Sequence, residues 1–574
     1  MTKLLKRLVA YKWAVLAVFV FVFAQSLADL FLPTLMADII DQGVVTGDTA
    51  YIWKMGGVML GVTGIGALAA VTASYYSSKA AMGFGRDLRS RVFNHVERFS
   101  LEEFDRVGTA SLITRTTNDI TQVQQVIIMM LRMVVSAPIM FVGGLIMATS
   151  KDAKLSLVIV AAMPFLVLSI LLIFWKAMPL FAKVQKRLDQ LNLVLRENLT
   201  GIRVIRAFNR EQEEQVRMTE ANKQLTDVSI KVNQIMAFLM PVLMLVMNLT
   251  VVGVIWFGGI RIDNGAMQIG DLMAFIQYVM QIMFALVMAS VMFVMVPRAS
   301  VSAKRINEVL EMEPSLVDEG TGSADVARGT LVFDHVTFRY PGAEEPALSD
   351  VSFAAKPGEV TAVIGGTGAG KSTLVNLIPR FYDVASGHIR VNGVDVQAVP
   401  QSELRSKIGF VPQKALLFTG TIFENIRYGK QDASDEEIRH AANVAQANEF
   451  IEKLPNQYDA LIEQGGSNVS GGQKQRLSIA RALVRKPDLY VFDDSFSALD
   501  FKTDAKLRKA LKEETRDATV LIVAQRVSTI MDADRIIVLE KGKVAGMGTH
   551  EELFATNEVY QEIVKSQLSE EEIA

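Results

Sequence analysis

The 574-residue chain contains no cysteine. That absence excludes disulfides, cysteine-based zinc sites, iron–sulfur clusters and a thiol nucleophile. It fits a chain whose working parts face a reducing compartment, or one from which cysteine has been removed. Histidine is scarce. His95, His335, His388, His440 and His550 are scattered without HExxH-type spacing, so no structural metal is expected. A charge excess of either sign is also missing. The 59 basic and 61 acidic side chains leave a net charge of -2, which gives no electrostatic case for binding nucleic acid. Apolar residues, by contrast, are abundant. They make up 50% of the chain, with a mean hydropathy of +0.28, and they are unevenly spread.

Up to about Val296, long apolar runs alternate with charged stretches; beyond about Gly320 the chain reads as an α/β protein. Six runs, near 13–41, 55–80, 126–149, 155–177, 236–260 and 270–296, each reach the roughly 20 residues needed to cross a bilayer. Lys3, Lys6, Arg7 and Lys12 precede the first. Arg86, Arg89 and Arg91 follow the second, Lys183, Lys186 and Arg187 the fourth, and Lys304 and Arg305 the sixth. By the positive-inside rule, both termini and the 2–3 and 4–5 connections are expected in the cytoplasm of a multi-pass protein of the cytoplasmic membrane. The first run is too long for a signal-peptide core and is read as retained. The polar stretches 81–125 and 178–235 predict helices reaching well past the bilayer. A Gly/Ser/acid-rich linker is placed at 314–329, dividing a membrane domain, 1–313, from a second domain, 330–574, and the final SEEEIA reads as a frayed acidic tail.

The second domain carries the chemistry. An apolar strand ending at Ile364 runs into Gly365, Gly366, Thr367, Gly368, Ala369, Gly370, Lys371, Ser372 and Thr373, which fits GxxxxGK[ST]. The glycines let backbone N–H groups wrap phosphate oxygens. The helix that follows adds its N-terminal dipole. Lys371 is expected on the β- and γ-phosphates and the Ser372 hydroxyl on Mg²⁺, so ATP with Mg²⁺ is the expected ligand. A second apolar strand, Leu489 to Asp493, ends in a carboxylate placed to hold the same ion.

Between them lies Val469-Ser470-Gly471-Gly472-Gln473, followed by KQRLSIARAL. This resembles the signature motif of ABC ATPases, which in that family caps ATP bound to the opposite subunit. Other family elements fall in order. Tyr340 resembles the adenine-stacking aromatic, Gln413 the Q-loop glutamine that touches Mg²⁺, and Ser497-Ala498-Leu499-Asp500 the D-loop. FDRVGTASLITRTTNDI (104–120) and ENLTGIRVIRAFNRE (197–211) resemble the cytoplasmic coupling regions of ABC exporters, about 98–120 and 197–212. The resemblance covers essentially the whole chain. It implies a multidomain fold: an all-α six-helix transmembrane domain of ABC exporter type, followed by an α/β P-loop nucleotide-binding domain. One such half-transporter needs a second chain.

Two positions depart from the family pattern. Asp494 stands where a glutamate orients the attacking water, and its carboxylate sits one methylene back; about 1 Å of misplacement can cost about 10²-fold in rate. Gln525 stands where the family has a histidine. Its amide can hydrogen-bond a phosphate but cannot carry charge. The pattern resembles the degenerate-site subunit of bacterial heterodimeric ABC multidrug exporters. It implies a partner half-transporter with intact Glu and His, whose competent site this chain's Ser470, Gly471, Gly472 and Gln473 complete. Alternatives are a homodimeric lipid or peptide exporter, or an ATP-sensing membrane regulator or channel that does not pump.

The substrate is weakly written. Eleven methionines between Met236 and Met295 suit a surface that fits many apolar shapes, and equally suit packing against lipid. Hydrophobic small molecules and the bilayer are the expected partners. Asp29, Asp38 and Asp41 lie in the outer half of the first run, where a carboxylate is costly unless it faces a cavity or a partner. Asp41 falls where related exporters carry acidic residues of an extracellular gate, or is an ordinary helix-end residue.

Overall fold

In hydrocarbon, every backbone N–H and C=O must be satisfied within its own segment, so long apolar runs are driven into helices. The computed structural model describes residues 1–318, 320, 322 and 326–568. Part of the linker read at 314–329 and the whole acidic tail, 569–574, lie outside them. The chain divides into two units, Met1–Glu97 with Ala110–Met312, and Arg98–Thr109 with Glu313–Ala574.

Six helical stretches of the first unit are long and apolar enough to cross a membrane. They are α1 (Lys3–Val44), α2 (Thr49–Val96), α4 (Thr109–Lys151), α5 (Ser156–Thr200), α7 (Glu211–Asp263) and α8 (Ile269–Glu311). The short helices α3 (Leu101–Val107) and α6 (Ile202–Ala207) lie in the connections. The polar stretches around 81–125 and 178–235 are largely helical continuations of the spans. The 48 residues of α2 measure about 70 Å, more than twice the hydrocarbon thickness.

Helix α1 packs on α2, α4 and α8, while α5 pairs mainly with α7. The shared core contains Phe275, Tyr278, Ile282, Ile159, Leu166 and Val254. At one end of the bundle the helices are tied by charge. Arg261 Nη2 meets Asp152 at 2.7 Å, and Lys151 Nζ meets Asp271 at 2.7 Å. At the same end Asp41 sits in a π-helical turn, Ile39–Val44, and its carboxylate accepts from Gly270 N–H at 2.7 Å, which caps the start of α8. Only 11–28% of each span's most apolar window is buried inside the chain. The remaining apolar surface requires lipid or a second subunit.

The second unit is built on two large sheets, with a two-stranded ribbon of Gly420–Thr421 and Leu461–Ile462 beside them. The antiparallel one joins β1 (Leu331–Phe338), β2 (Leu348–Ala355), β4 (Ser386–Val391) and β5 (Val394–Asp395) in the order β2-β1-β4-β5. The other contains β3 (Val360–Gly365), β6 (Ile408–Val411), β7 (Leu489–Asp493), β8 (Thr519–Val523), β9 (Arg535–Glu540) and β10 (Lys543–Gly548). Its order is β10-β9-β3-β8-β7-β6, parallel except for β10. β7 and β8 are buried along their whole length, as continuous apolar strands covered on both faces must be. Helix α3 belongs to this unit. Glu103 accepts from Ser315 N–H at 3.0 Å, and Tyr382 donates to Asp105 at 3.4 Å. Burial and the neighbouring Asp105 push the Tyr382 phenol up to about 12.

Candidate nucleotide site

Parallel strands discharge their loops at one edge, and register decides which loops meet. Val523 lies opposite both Val363 and Asp493 across β8, and Leu539 lies opposite Gly365. The phosphate-loop sequence, the Asp493–Asp494 pair and the Gln525 loop therefore leave the sheet side by side. This is the carboxyl edge, where open α/β sheets place their ligands.

The loop from Gly366 to Gly370 connects β3 to α9 (Lys371–Leu377). Gly370 has φ 95°, and a Cβ there would come within 2.8 Å of the Ala347 carbonyl. A Cβ on Gly365 would collide with the Leu539 carbonyl. Gly370 needs glycine for conformation and for space, and Gly365 for space. Thr367, Gly368 and Ala369 complete the turn, and Gly368 is also at positive φ. Lys371 Nζ donates to the carbonyls of Gly365 and Gly366 at 2.7 and 2.9 Å. Burial holds its ammonium below the usual lysine range, partly offset by Asp494 and Asp493. Tyr340 packs edge-on against Phe338 and Tyr382, and its hydroxyl is 3.1 Å from Thr373 Oγ1 at the start of α9.

Ser372 Oγ donates to Asp493 Oδ1 at 3.3 Å. Asp493 is 6% exposed, and burial raises its carboxyl above the ordinary aspartate range. A buried carboxylate beside a hydroxyl offers hard oxygen donors, the set that Mg²⁺ takes together with substrate phosphates.

Asp494 is gripped from two sides. Gln413 Nε2 donates to its Oδ2 at 3.3 Å and Gln525 Nε2 donates to the same oxygen at 2.9 Å. Its backbone lies in the left-handed region at φ 46°, fixed by its N–H to Val523 C=O at 2.9 Å. Sequence reasoning treated Asp494 and Gln525 as two separate departures. The fold makes them one hydrogen-bonded pair, joined by Gln413.

The signature stretch starts α10 (Gly471–Leu483). Ser470 is its N-cap, in a reciprocal capping box with Gln473: Ser470 N–H donates to Gln473 Oε1 at 2.8 Å. Gly471 has open space around it. A Cβ on Gly472 would sit 3.0 Å from the Ala498 carbonyl, so the signature and the Ser497–Asp500 turn are in contact. Ser497 Oγ donates to the Asp494 carbonyl at 3.0 Å, and Asp500 caps α11 (Phe501–Glu514) through Thr503, which holds its carboxyl below the usual range. Leu499 is buried. A chain of contacts thus runs from Gln525 through Asp494 to the signature.

Two models of known families match. One, described as the ABC transporter transmembrane region, covers residues 15–287. The other, described as ABC transporter, covers 348–497. An uncharacterised ABC transporter ATP-binding protein of Mycobacterium tuberculosis (strain CDC 1551) is 45% identical over 551 residues, spanning 95% of this chain and 94% of its own length. This chain belongs to the ABC transporter family. The Bacillus subtilis ABC transporter ATP-binding protein YfiB is 44% identical, covering 95% and 94%. A Lactococcus lactis multidrug resistance ABC transporter ATP-binding and permease protein is 30% identical, covering 95% and 91%. Among solved structures, a bacterial Atm1-family ABC exporter with ATP bound superposes with a TM-score of 0.79 at 26% identity, covering 99% of both chains. The protein is thus an ABC exporter in a membrane, with an ATP-binding domain that drives transport.

One site residue escaped the motifs altogether. Gln567, just beyond α12 (Glu558–Lys565), accepts from Val527 N–H and donates to Gln525 C=O, both at 2.8 Å. It clamps the loop that presents Gln525, from a region with no motif to point to it. Gln567→Ala is expected to free this loop and weaken ATP binding at this chain's own phosphate loop about three- to tenfold, since each lost bond is worth about 1 kcal/mol. Photo-labelling of this chain by an azido-ATP over a concentration series checks this.

Proposed function

We propose that the chain is one half of a heterodimeric ABC exporter of drug-like or amphipathic molecules. It contributes a nucleotide site impaired in hydrolysis and the signature of the partner's competent site. The observation that carries this reading is the Asp494 carboxylate. It is short by one methylene and already shared between two amides, so it is poorly placed to take a proton from water. Lys371 and Ser372 are retained, so ATP binding stands apart from its cleavage. In this reading Tyr340 stacks the base and residues 365–373 cradle the phosphates. Ser372, Gln413 and Asp493 hold Mg²⁺, which when bound neutralises phosphate charge. Ser470 to Gln473 reach the partner's ATP, and Ser497 to Asp500 carry the signal between sites.

The domain limits proposed are 1–313, 314–329 and 330–574, with both termini in the cytoplasm. Asp41 is proposed as a gate residue. Its bond to Gly270 N–H must break if α1 and α8 part on outward opening. The exposed Val204 of α6 and Phe208 just past its end, 61% and 73% accessible, supply an apolar contact for a second subunit's ATPase domain. The name of the Lactococcus relative supports multidrug efflux.

Co-expressed with its partner, the chain is expected to show drug-stimulated ATPase activity that disappears when the partner's catalytic glutamate is replaced by glutamine. Activity that persists would favour a symmetric homodimer, and ATP-dependent gating without dye accumulation in vesicles would favour a regulator or channel.

A further inference from the structure

Asp29 takes no part in nucleotide chemistry, yet it lies deep in the membrane unit. It stands 17 residues past Lys12 and 12 before Asp41, about 25 and 18 Å along α1. It is half-buried, and among the described residues it forms no ion pair. A carboxylate at that depth, hydrogen-bonded to Gln25 but paired with no cation, is costly and marks a substrate or ion pathway by default.

Its direction is set by the helix. Leu16, Phe23, Leu27 and Phe31 form the exposed apolar stripe of α1, each 46–50% accessible. Gln25 and Asp29 are each two residues from Leu27, about 200° around the helix and therefore on the other side. There they meet α8. Gln281 Nε2 donates to the Asp29 carbonyl at 3.0 Å, while Gln281 Oε1 is buried without a hydrogen-bond partner. One turn earlier Gln277 is exposed, and Met280 and Phe284 beside it are 49% and 60% accessible. An exposed amide at Gln277 and an unpaired buried amide oxygen at Gln281 do not suit lipid.

We propose that Asp29, with Gln25 and Gln281, is the charge-reading part of a binding site for lipophilic organic cations, with Met280 and Phe284 forming its apolar wall. The inference rests on the efflux reading above and names its substrate class. The carboxylate supplies a charge with no resident counter-ion, and the free amide oxygen adds a second acceptor. Thioether and aromatic faces attract a diffuse positive charge without needing water. A delocalised cation also loses little hydration on entering from the bilayer, unlike a compact ammonium.

The test uses the full chain with its partner subunit in lipid nanodiscs, without ATP. Tetraphenylphosphonium and its anionic isostere tetraphenylborate are the probes. The wild type is expected to bind the cation. Asp29→Asn should weaken that binding at least about tenfold, as loss of one member of a charge pair does, while Asp29→Glu retains it and borate partitioning is unchanged. Unchanged cation binding in Asp29→Asn, or equal loss of both ions, overturns the proposal. A variant that fails to assemble is bypassed in the wild type. Carbodiimide labelling of Asp29 should be slowed by the cation and not by the anion, and equal labelling overturns the proposal. No step uses hydrolysis, so failure here leaves the asymmetric ATPase reading standing, and failure of that reading leaves binding measurable.

Discussion

Asp494→Glu combined with Gln525→His is expected to raise ATP turnover at this chain's own phosphate loop by about 10²-fold, the rate penalty that about 1 Å of misplacement imposes. The added methylene moves the carboxylate towards the phosphate edge. Replacing Gln525 removes one of the two amide donors that now hold Asp494 Oδ2. The side chains touch at 2.9 Å, so the effects should not add. Asp494→Glu alone leaves the new carboxylate tied to Gln525, and Gln525→His alone leaves it short. A full mutant cycle on the assembled dimer, with the partner's catalytic glutamate neutralised so that only this site reports, measures the coupling. The left-handed backbone at 494 suits aspartate better than glutamate, so a slightly lower melting temperature is expected in the same variant. Turnover that stays at background in the double variant would remove Asp494 and Gln525 as the cause of impairment.

The second large effect separates the two faces of this subunit. Gly472→Val should reduce turnover of the dimer by about 10²–10³-fold, the usual cost of losing preorganised donors to a phosphate. The valine Cβ would stand 3.0 Å from the Ala498 carbonyl, and backbone there cannot swing aside as a side chain could. Lys371→Ala, by contrast, should abolish photo-labelling of this chain by an azido-ATP and lower dimer turnover less than about tenfold, because the competent phosphate loop lies on the partner in this reading. Similar losses in both variants would mean two equivalent sites and a homodimer-like machine.

In the asymmetric reading proposed above, a nucleotide retained at one site would hold the ATPase pair together while the other site turns over, so that closure and reset become separate events.

The candidate nucleotide site could be located in the sequence because phosphate chemistry constrains local sequence. Glycines at 365 and 370, a lysine and a hydroxyl must stand at fixed spacing for a loop to wrap phosphate, and spacing is visible in one dimension. The six apolar runs were legible for a similar reason, since hydrocarbon thickness sets a minimum length. Gln567 was not legible. Its role depends on the chain returning to the Gln525 loop from 42 residues away, and a lone glutamine before an acidic stretch carries no periodicity or motif. The same holds for Asp105, which looks like any surface acid until α3 brings it to Tyr382.

Sequence alone determined that this is a membrane protein with an ATP-driven domain, because hydropathy and motif spacing are local properties. It also exposed the substitutions at 494 and 525. Only the tertiary structure decided that these two residues are bonded to each other, that Asp41 caps α8, and that the Asp29 carbonyl is met by Gln281 of α8. Each of those facts is a meeting of segments far apart in the chain. Strand register and helix packing set such meetings through burial of apolar surface summed over many residues, and no short stretch of sequence contains that sum.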